Sequence, residues 1–333
     1  MVVTTWKRSV LNVCGSLMAD PYRPLAGVLL PSGHIVSDSA PLHVRHVLRI
    51  PSFTKFKADL EFLLRHYQPL QLSELERIGH CHEAKRPARY FVLSFDDGMR
   101  EVHDVIAPFL LEKGLPAIFF LNSTTIDNKQ LMWRHKVSLL IARAQQEPQR
   151  VPPQLATYPG KSVSAKLLSL RFVDAGILDE VAAFFEVDFE EYLRSHLPYM
   201  TTEQVLKLAG DGFEFGSHSA SHPCFNEISV EDQRQEIFQS VHFIRSLGLP
   251  CRYFAFPFHD QGVRACIFDY MRQLGLALSF GSSDARVDSV PFSLQRFGLD
   301  AENTDLSIPD LLYQLSAKSL AFRLSRAEVI RRN

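Results

Sequence analysis

The sequence lacks any long uninterrupted apolar run. Of its 333 residues, 46% are hydrophobic, yet no stretch approaches the roughly 20 apolar residues that a membrane helix needs. The segment after Lys7 and Arg8 is a poor signal peptide, because Asn12, Gly15 and Ser16 dilute its short apolar core. These absences predict a soluble protein without a membrane span.

The sequence also lacks an excess of charge of one sign and any closely paired cysteines. Its 36 Lys and Arg residues nearly balance 37 Asp and Glu residues, so no strong field concentrates a polyanion and nucleic acid is not expected as a partner. The five cysteines stand at wide, irregular spacing, which favours reduced thiols over a disulfide framework and indicates a cytoplasmic location. Nothing in the sequence predicts the oligomeric state.

Strand-like and helix-like segments alternate along much of the chain. The apolar residues 90–95 predict a buried strand, the spacing of apolar residues over 102–110 predicts a helix, and residues 117–121 predict a second strand. A similar alternation returns between residues 201 and 280. Such a pattern indicates an α/β fold with parallel strands, in which catalytic residues lie at the carboxyl ends of the strands.

The alternation begins at about residue 51 and is interrupted between about residues 123 and 200. We therefore expect residues 1–50 to form an N-terminal extension that packs on a barrel, and residues 51–333 to form the barrel. The interruption holds helical patterns joined by a proline-containing segment. We interpret it as a helical insertion that either shapes a substrate groove or serves only as a stabilising lid.

Two adjacent carboxylates, Asp96 and Asp97, follow the first predicted strand. Repulsion and partial desolvation oppose the ionisation of both unless a cation or hydrogen bonds compensate. Gly98 gives the backbone the freedom to turn both side chains towards one site. By itself, however, an Asp-Asp-Gly sequence is more typical of a surface turn.

Two histidines, His218 and His222, follow a later predicted strand over residues 213–216. The helical zinc motif of metalloproteases requires Glu after the first histidine, where Ser219 stands, and Pro223 disfavours a helical conformation at His222. Both histidines are therefore expected on an irregular loop. With one carboxylate they make a three-ligand set that is typical of a hydrolytic zinc site.

Together, these two clusters resemble motifs of the NodB-homology polysaccharide deacetylases, the fourth family of carbohydrate esterases. The family's T/S-F-D-D-G motif matches residues 94–98, and its H-S/T-x-x-H-P motif matches residues 218–223. The resemblance covers about residues 50–290. It implies a distorted (β/α)7 TIM-like barrel in which Asp96 is the general base. It also implies that Asp97, His218 and His222 bind a divalent metal, with Zn²⁺ expected ahead of Co²⁺ or Ni²⁺.

Residues 254–259, Phe-Ala-Phe-Pro-Phe-His, resemble the family's third motif in altered form. By this resemblance, the backbone N–H of Phe258 helps to bind the oxyanion of the reaction. The arginine that usually stands two residues before the proline is Ala255 here, a departure similar to that of exopolysaccharide deacetylases acting on poly-N-acetylglucosamine. Arg296 is a candidate to orient Asp96 instead; the alternative is a surface ion pair.

The general acid is the least evident residue. The family's late Leu-x-His motif is missing, because no histidine follows His259. The exopolysaccharide branch has an early Tyr-His motif near the metal, and residues 30–36, which include His34, look like a divergent version of it. His34 is therefore the candidate acid, although it could be an ordinary loop histidine. His43 and His46 are the alternatives.

The resemblance implies hydrolysis of N-acetyl groups on a carbohydrate or polysaccharide, with an N-acetylated sugar or glycan as the partner. In such chemistry a divalent metal polarises the carbonyl while an unligated carboxylate removes a proton from water. Two alternatives remain open: a noncatalytic carbohydrate-binding protein that retains the metal site, and a hydrolase of a small amide. Trp133 could stack on a sugar, but core packing is the simpler expectation.

Overall fold

The computed structural model of the chain describes residues 27–79, 89–282, 288–300, 306–325 and 331. The strands within this part are all short. In chain order they are β1 (Gly27–Leu29), β2 (Pro31–Gly33), β3 (Gln68–Pro69), β4 (Arg89–Phe91), β5 (Ser94–Phe95), β6 (Ile118–Leu121), β7 (Glu214–Ser217), β8 (Tyr253–Ala255), β9 (Leu278–Gly281), β10 (Ser293–Gln295) and β11 (Phe297–Gly298).

Eight of these strands form one parallel sheet, in the order β10, β9, β8, β7, β6, β5, β2 and β11. The strands at its two edges, β10 and β11, are separated in sequence by Arg296 alone. The N–H of Arg296 donates to the carbonyl of Gly281 in β9 at 2.9 Å, and the N–H of Phe297 donates to the carbonyl of Leu30 at 3.1 Å. The segment 293–298 therefore acts as one strand that joins the two edges of the sheet and closes it into a barrel. This confirms the predicted distorted (β/α)7 barrel.

A smaller parallel sheet, in the order β1, β4 and β3, lies at the amino ends of β2 and β5. Only Leu30 separates β1 from β2, so this part of the chain continues directly into the barrel. Within residues 1–50, which we expected to form an N-terminal extension that packs on the barrel, β2 pairs with both β5 and β11; residues 1–26 lie outside the described residues. Pro31–Gly33 has no alternation that marks a strand in sequence; it is a strand because the open edges of its two neighbours supply its hydrogen-bond partners.

Helices surround the barrel and fill the interval between β6 and β7. Their starts follow local sequence signals: Ser52 caps the first helix by accepting from the N–H of Lys55 at 3.2 Å, and Thr201 and Gln204 form a capping box. The helices are α1 (Phe53–His66), α2 (Leu72–Gly79), α3 (Ala107–Glu112), α4 (Trp133–Gln146), α5 (Val163–Leu168), α6 (Ile177–Phe185), α7 (Phe189–His196), α8 (Thr202–Gly210), α9 (Val230–Ser246), α10 (Ala265–Gln273) and α11 (Ile308–Ser325).

The helices α4 to α7 lie where the strand-helix alternation of the sequence breaks down. Their apolar faces join the barrel core: one buried cluster runs from Phe119 in β6 to Leu140 in α4 and Phe185 in α6. The insertion is thus packed against the barrel and cannot swing freely as an independent lid. Among the described helices, none is both long enough and apolar enough to cross a membrane.

Candidate metal centre

The carboxyl ends of β5 and β7 place Asp96, Asp97 and His218 at one end of the barrel. β6 lies between these two strands and pairs with both. The N–H of His218 continues this pairing by donating to the carbonyl of Leu121 at 2.9 Å. All three side chains are buried, with residue exposures of 4%, 3% and 1%. Two motifs that are more than a hundred residues apart in sequence therefore meet in one buried cluster.

Asp97, His218 and His222 face one another with the spacing of a cation site. Oδ1 of Asp97 lies 3.5 Å from Nε2 of His218 and 3.4 Å from Nε2 of His222. One ligand atom from each of the three residues lies within 4.8 Å of the others. Oδ1 of Asp97 is buried and has no hydrogen-bond partner among the described residues. Since an isolated buried carboxylate oxygen is costly, these residues fit a bound divalent cation.

The imidazole rings are held in the neutral form that metal binding requires. Nδ1 of His218 lies 2.8 Å from the carbonyl oxygen of Ala255, which accepts its proton and leaves the lone pair of Nε2 facing Asp97. Burial lowers the pKa of His218 and holds the pKa of His222 well below its usual range. Burial also raises the pKa of Asp97, against the opposing positive charge of His34, and a bound cation would reverse that rise.

The loops that carry the ligands have strained backbones. Asp97, Ser219 and His222 have φ values of 72°, 69° and 62°, in the left-handed region that residues other than glycine seldom adopt. Gly98 follows with φ 64°, and a Cβ at this position would approach Cδ1 of Ile126 to 2.9 Å. Such strain persists only where the surrounding structure maintains it.

The histidine loop, residues 218–222, is fixed by side chains from neighbouring helices. The indole Nε1 of Trp133, the first residue of α4, donates to the carbonyl oxygen of His222 at 2.9 Å. The carboxylate of Glu236 in α9 accepts from the N–H groups of Ala220 and Ser221 at 2.9 and 2.8 Å. Trp133 is only 7% exposed, so its place favours packing and loop support over stacking on a sugar.

Asp96 is paired with Arg296 rather than aimed at the three ligands. Nη1 of Arg296 donates to Oδ1 of Asp96 at 2.8 Å, and Nη2 donates to Oδ2 at 2.7 Å. Arg296 is 3% exposed, so this is a buried ion pair and not a surface one. Although burial alone would raise the pKa of Asp96, the guanidinium of Arg296 holds it well below its usual range.

His34 stands beside Asp96 because β2 and β5 are paired in register, Gly33 opposite Phe95. Asp300 follows β11 on the other side of β2. Its Oδ2 accepts from the N–H of His34 at 2.7 Å and lies 2.8 Å from Nδ1 of the same residue. Burial disfavours the charged imidazole, but Asp300, Asp97 and Asp96 outweigh it and raise the pKa of His34 to about 10.

Asp300 is a residue that the sequence analysis missed. No histidine follows His259. Instead, the carboxylate of Asp300, which follows β11, pairs with the early histidine His34. No local pattern marks this carboxylate, because β11 is only two residues long and Asp300 stands two residues beyond it. The fallback histidines lie elsewhere: Nδ1 of His43 lies 3.0 Å from the hydroxyl of Tyr192, and the backbone N–H of His46 donates to Ser138 at 3.2 Å.

Phe258 follows β8 and packs against the histidine loop. Its ring centroid lies 4.7 Å from that of His222 and 6.1 Å from that of Trp133. The residue is 41% exposed, and its φ is 56°. Within the described part of the chain, its backbone N–H makes no hydrogen bond. This leaves the backbone N–H of Phe258 available as a donor.

Comparisons with known proteins show similarity to one protein family and to several solved structures. A protein-family profile described as polysaccharide deacetylase matches residues 83–278. A search of curated protein sequences gave no significant match.

Solved structures share the fold at low sequence identity. The deacetylase PplD of Streptococcus pyogenes, in complex with acetate, is 14% identical with a TM-score of 0.57, covering 88% of this chain and 99% of that one. IcaB from Ammonifex degensii is 15% identical with a TM-score of 0.54, covering 88% and 98%. A de-N-acetylase from Aggregatibacter actinomycetemcomitans is 14% identical with a TM-score of 0.55, covering 86% and 99%.

Proposed function

Because this chain belongs to the polysaccharide deacetylase family, we propose that it is a metal-dependent hydrolase that removes N-acetyl groups from a carbohydrate or polysaccharide and releases acetate. The observation that carries the proposal is the buried set of Asp97, His218 and His222, with a second carboxylate, Asp96, beside it. The structural neighbour that was solved with acetate supports acetate as the product.

Asp97, His218 and His222 would hold the metal through Oδ1 and the two Nε2 atoms. Two imidazoles and one carboxylate suit Zn²⁺, and Co²⁺ or Ni²⁺ accept the same donors. A divalent cation bound there supplies Lewis acidity that polarises the acetamide carbonyl and promotes the ionisation of water. Trp133 and Glu236 keep the histidine loop in the conformation that presents these atoms.

Asp96 would act as the general base. It is close to the ligands without sharing their position, since its Oδ2 lies 3.8 Å from Nε2 of His218. The two hydrogen bonds from Arg296 keep it ionised at neutral pH and fix its orientation. It would take a proton from the attacking water as the new C–O bond forms.

His34 would act as the general acid. With its pKa raised to about 10, the imidazole is protonated at neutral pH; a cation held at Asp97 would lower that pKa and ease release of the proton. Nδ1 is committed to Asp300 at 2.8 Å, so the proton to be transferred is the one on Nε2. It would pass to the sugar nitrogen as the C–N bond breaks, leaving a free amine.

The backbone N–H of Phe258 would stabilise the negative charge that develops on the carbonyl oxygen. Such a donor acts through its fixed position, and removing one oxyanion donor typically costs about 10²–10³ in kcat. The exposed ring of Phe258 would then border the entrance to the site. This role of the residue depends on its backbone, so side-chain substitutions are expected to affect substrate binding more than chemistry.

Acetate release from N-acetylated oligosaccharides tests the proposal. In metal-loaded protein, Asp96→Asn should lower kcat by about 10²–10⁴ and retain the metal, because Asp96 is outside the ligand set. Asp104→Asn is the matched control: it makes the same chemical change in an exposed pair with Arg100 and should leave the rate unchanged. Glycan binding without turnover by the metal-loaded wild type would instead favour the noncatalytic carbohydrate-binding protein.

A further inference from the structure

A second buried ionic cluster lies behind the loop that carries Phe258. It joins Asp260, which is fully buried, to Asp288, Gln295 and Arg331. Nη2 of Arg331 donates to Oδ2 of Asp260 at 2.7 Å and also bonds to Oδ2 of Asp288. Nε2 of Gln295 donates to both carboxylates, at 2.8 and 3.0 Å. None of these side chains belongs to the proposed metal centre.

The chemistry of this cluster makes Arg331 its central residue. Two carboxylates that are buried side by side repel each other and have lost hydration, so a cation between them removes a large cost. The side chain of Arg331 is 8% exposed, and its guanidinium lies 4.4 Å from the ring centroid of Phe268. A planar guanidinium can bridge two carboxylates and stack on an aromatic ring at the same time, which an ammonium group does less well.

Arg331 also holds the backbone of the loop. Its Nη1 donates to the carbonyl oxygen of Asp260 at 2.5 Å, two residues beyond Phe258. Asp260 itself sits directly over Gly281 at the end of β9, where a Cβ would overlap its carboxylate. These contacts fix the loop at Asp260. Phe258 has a strained φ of 56°, a conformation that persists only when the surrounding structure supports it.

We infer that Arg331 is a positioning residue for the active site: by binding the side chain and carbonyl of Asp260, it fixes the loop 256–260 and thereby the backbone of Phe258, whose ring packs against His222. The kinetic consequence rests on the proposed function. The structural consequence, a more mobile loop when Arg331 is replaced, does not.

The test compares Arg331→Met and Arg331→Lys in the full chain. Arg331→Met removes the charge and should lower kcat by about tenfold to a hundredfold, as expected for a small displacement of a catalytic group. KM and metal content should change little, and Arg331→Lys should lie between Arg331→Met and wild type. Arg272→Met is the control, since Arg272 is an exposed arginine whose guanidinium lies 5.3 Å from the ring centroid of Phe292.

Two further measurements separate positioning from a general loss of stability. Amide hydrogen exchange in Arg331→Met should accelerate in peptides covering residues 256–260 and remain unchanged in the barrel strands. In Arg331→Ala, added guanidinium should restore part of kcat, whereas the same concentration of ammonium should not.

Unchanged exchange in 256–260, or faster exchange throughout the chain without guanidinium rescue, would overturn the inference. If the wild type proves inactive, the exchange comparison still decides whether Arg331 fixes the loop, so this failure is distinct from failure of the proposed function.

Discussion

Arg296 binds the carboxylate of Asp96 through two hydrogen bonds of 2.8 and 2.7 Å. Arg296 lies between β10 and β11, where the barrel closes, and Asp96 follows β5; only β2 separates β5 from β11 in the sheet. Closure of the barrel therefore brings the guanidinium of Arg296 to the carboxylate of Asp96. Asp96, the proposed base, is paired with Arg296 only in the closed fold.

Replacing Arg296 with Met should leave Asp96 buried without its main compensating charge. The pKa of Asp96 should rise, so the acidic limb of the kcat/KM profile should move to higher pH, and activity at neutral pH should fall. Because the pKa of Asp96 is depressed in the folded state, the pair stabilises the protein above the ordinary pKa of Asp and loses this effect on acidification. Breaking such a pair costs about 3–5 kcal/mol.

Denaturant unfolding of metal-free wild type and Arg296→Met across acidic and neutral pH checks this prediction, together with the pH profile. The difference in free energy of unfolding should be largest at neutral pH and shrink as the pH falls. Arg296→Lys, which retains the charge but not the two-point contact, should show a smaller shift of the acidic limb. An acidic limb that does not move in Arg296→Met would contradict the assignment of Asp96 as base.

Replacing Asp300 with Asn should lower the pKa of His34 and move the basic limb of the kcat profile to lower pH. In metal-free protein, the pKa of His34 is raised from 6.5 to about 10. Its pairing with Asp300 therefore stabilises the fold fully below pH 6.5, and this contribution is lost as the pH rises towards 10. Asp300→Asn should flatten that dependence.

Unfolding of metal-free protein between pH 6 and 10 measures this effect, with Asp104→Asn as control. Asp104 accepts from Nδ1 of His103 at 2.7 Å in an exposed pair, so its substitution should alter neither the stability profile nor the kinetics. His34→Gln should lower kcat by about 10²–10⁴. A His34→Gln enzyme of normal kcat would exclude His34 as the acid.

Replacing Trp133 with Phe should weaken metal binding while largely preserving the packing. The change removes the hydrogen bond to the carbonyl of His222, which should cost about 0.5–1.5 kcal/mol of stability and about tenfold or more in metal affinity. Competition with a chromophoric chelator measures the affinity. Phe172→Leu alters the aromatic neighbour of Trp133 without touching that hydrogen bond, and equal losses in both variants would contradict the proposed support.

The barrel was predictable because short apolar strands alternate with helices of clear periodicity along much of the chain. The two motifs also locate Asp96, Asp97, His218 and His222 at strand ends, since parallel strands direct their carboxyl ends to one edge. The short strand β2 was missed because three residues carry no periodicity. Asp300 was missed for a related reason: its partnership with His34 spans 266 residues and depends on the closure of the barrel by β11, which no local pattern indicates.

The most direct test measures metal content and acetate release on the same samples of wild type, Asp97→Ala and the Asp104→Asn control. We predict one divalent cation per wild-type chain, loss of acetate release after chelation, and recovery on addition of Zn²⁺, Co²⁺ or Ni²⁺. Asp97→Ala should neither bind the metal at these concentrations nor recover. Full acetate release by metal-free wild type, or unchanged metal binding and activity in Asp97→Ala, would contradict a catalytic centre built on Asp97, His218 and His222.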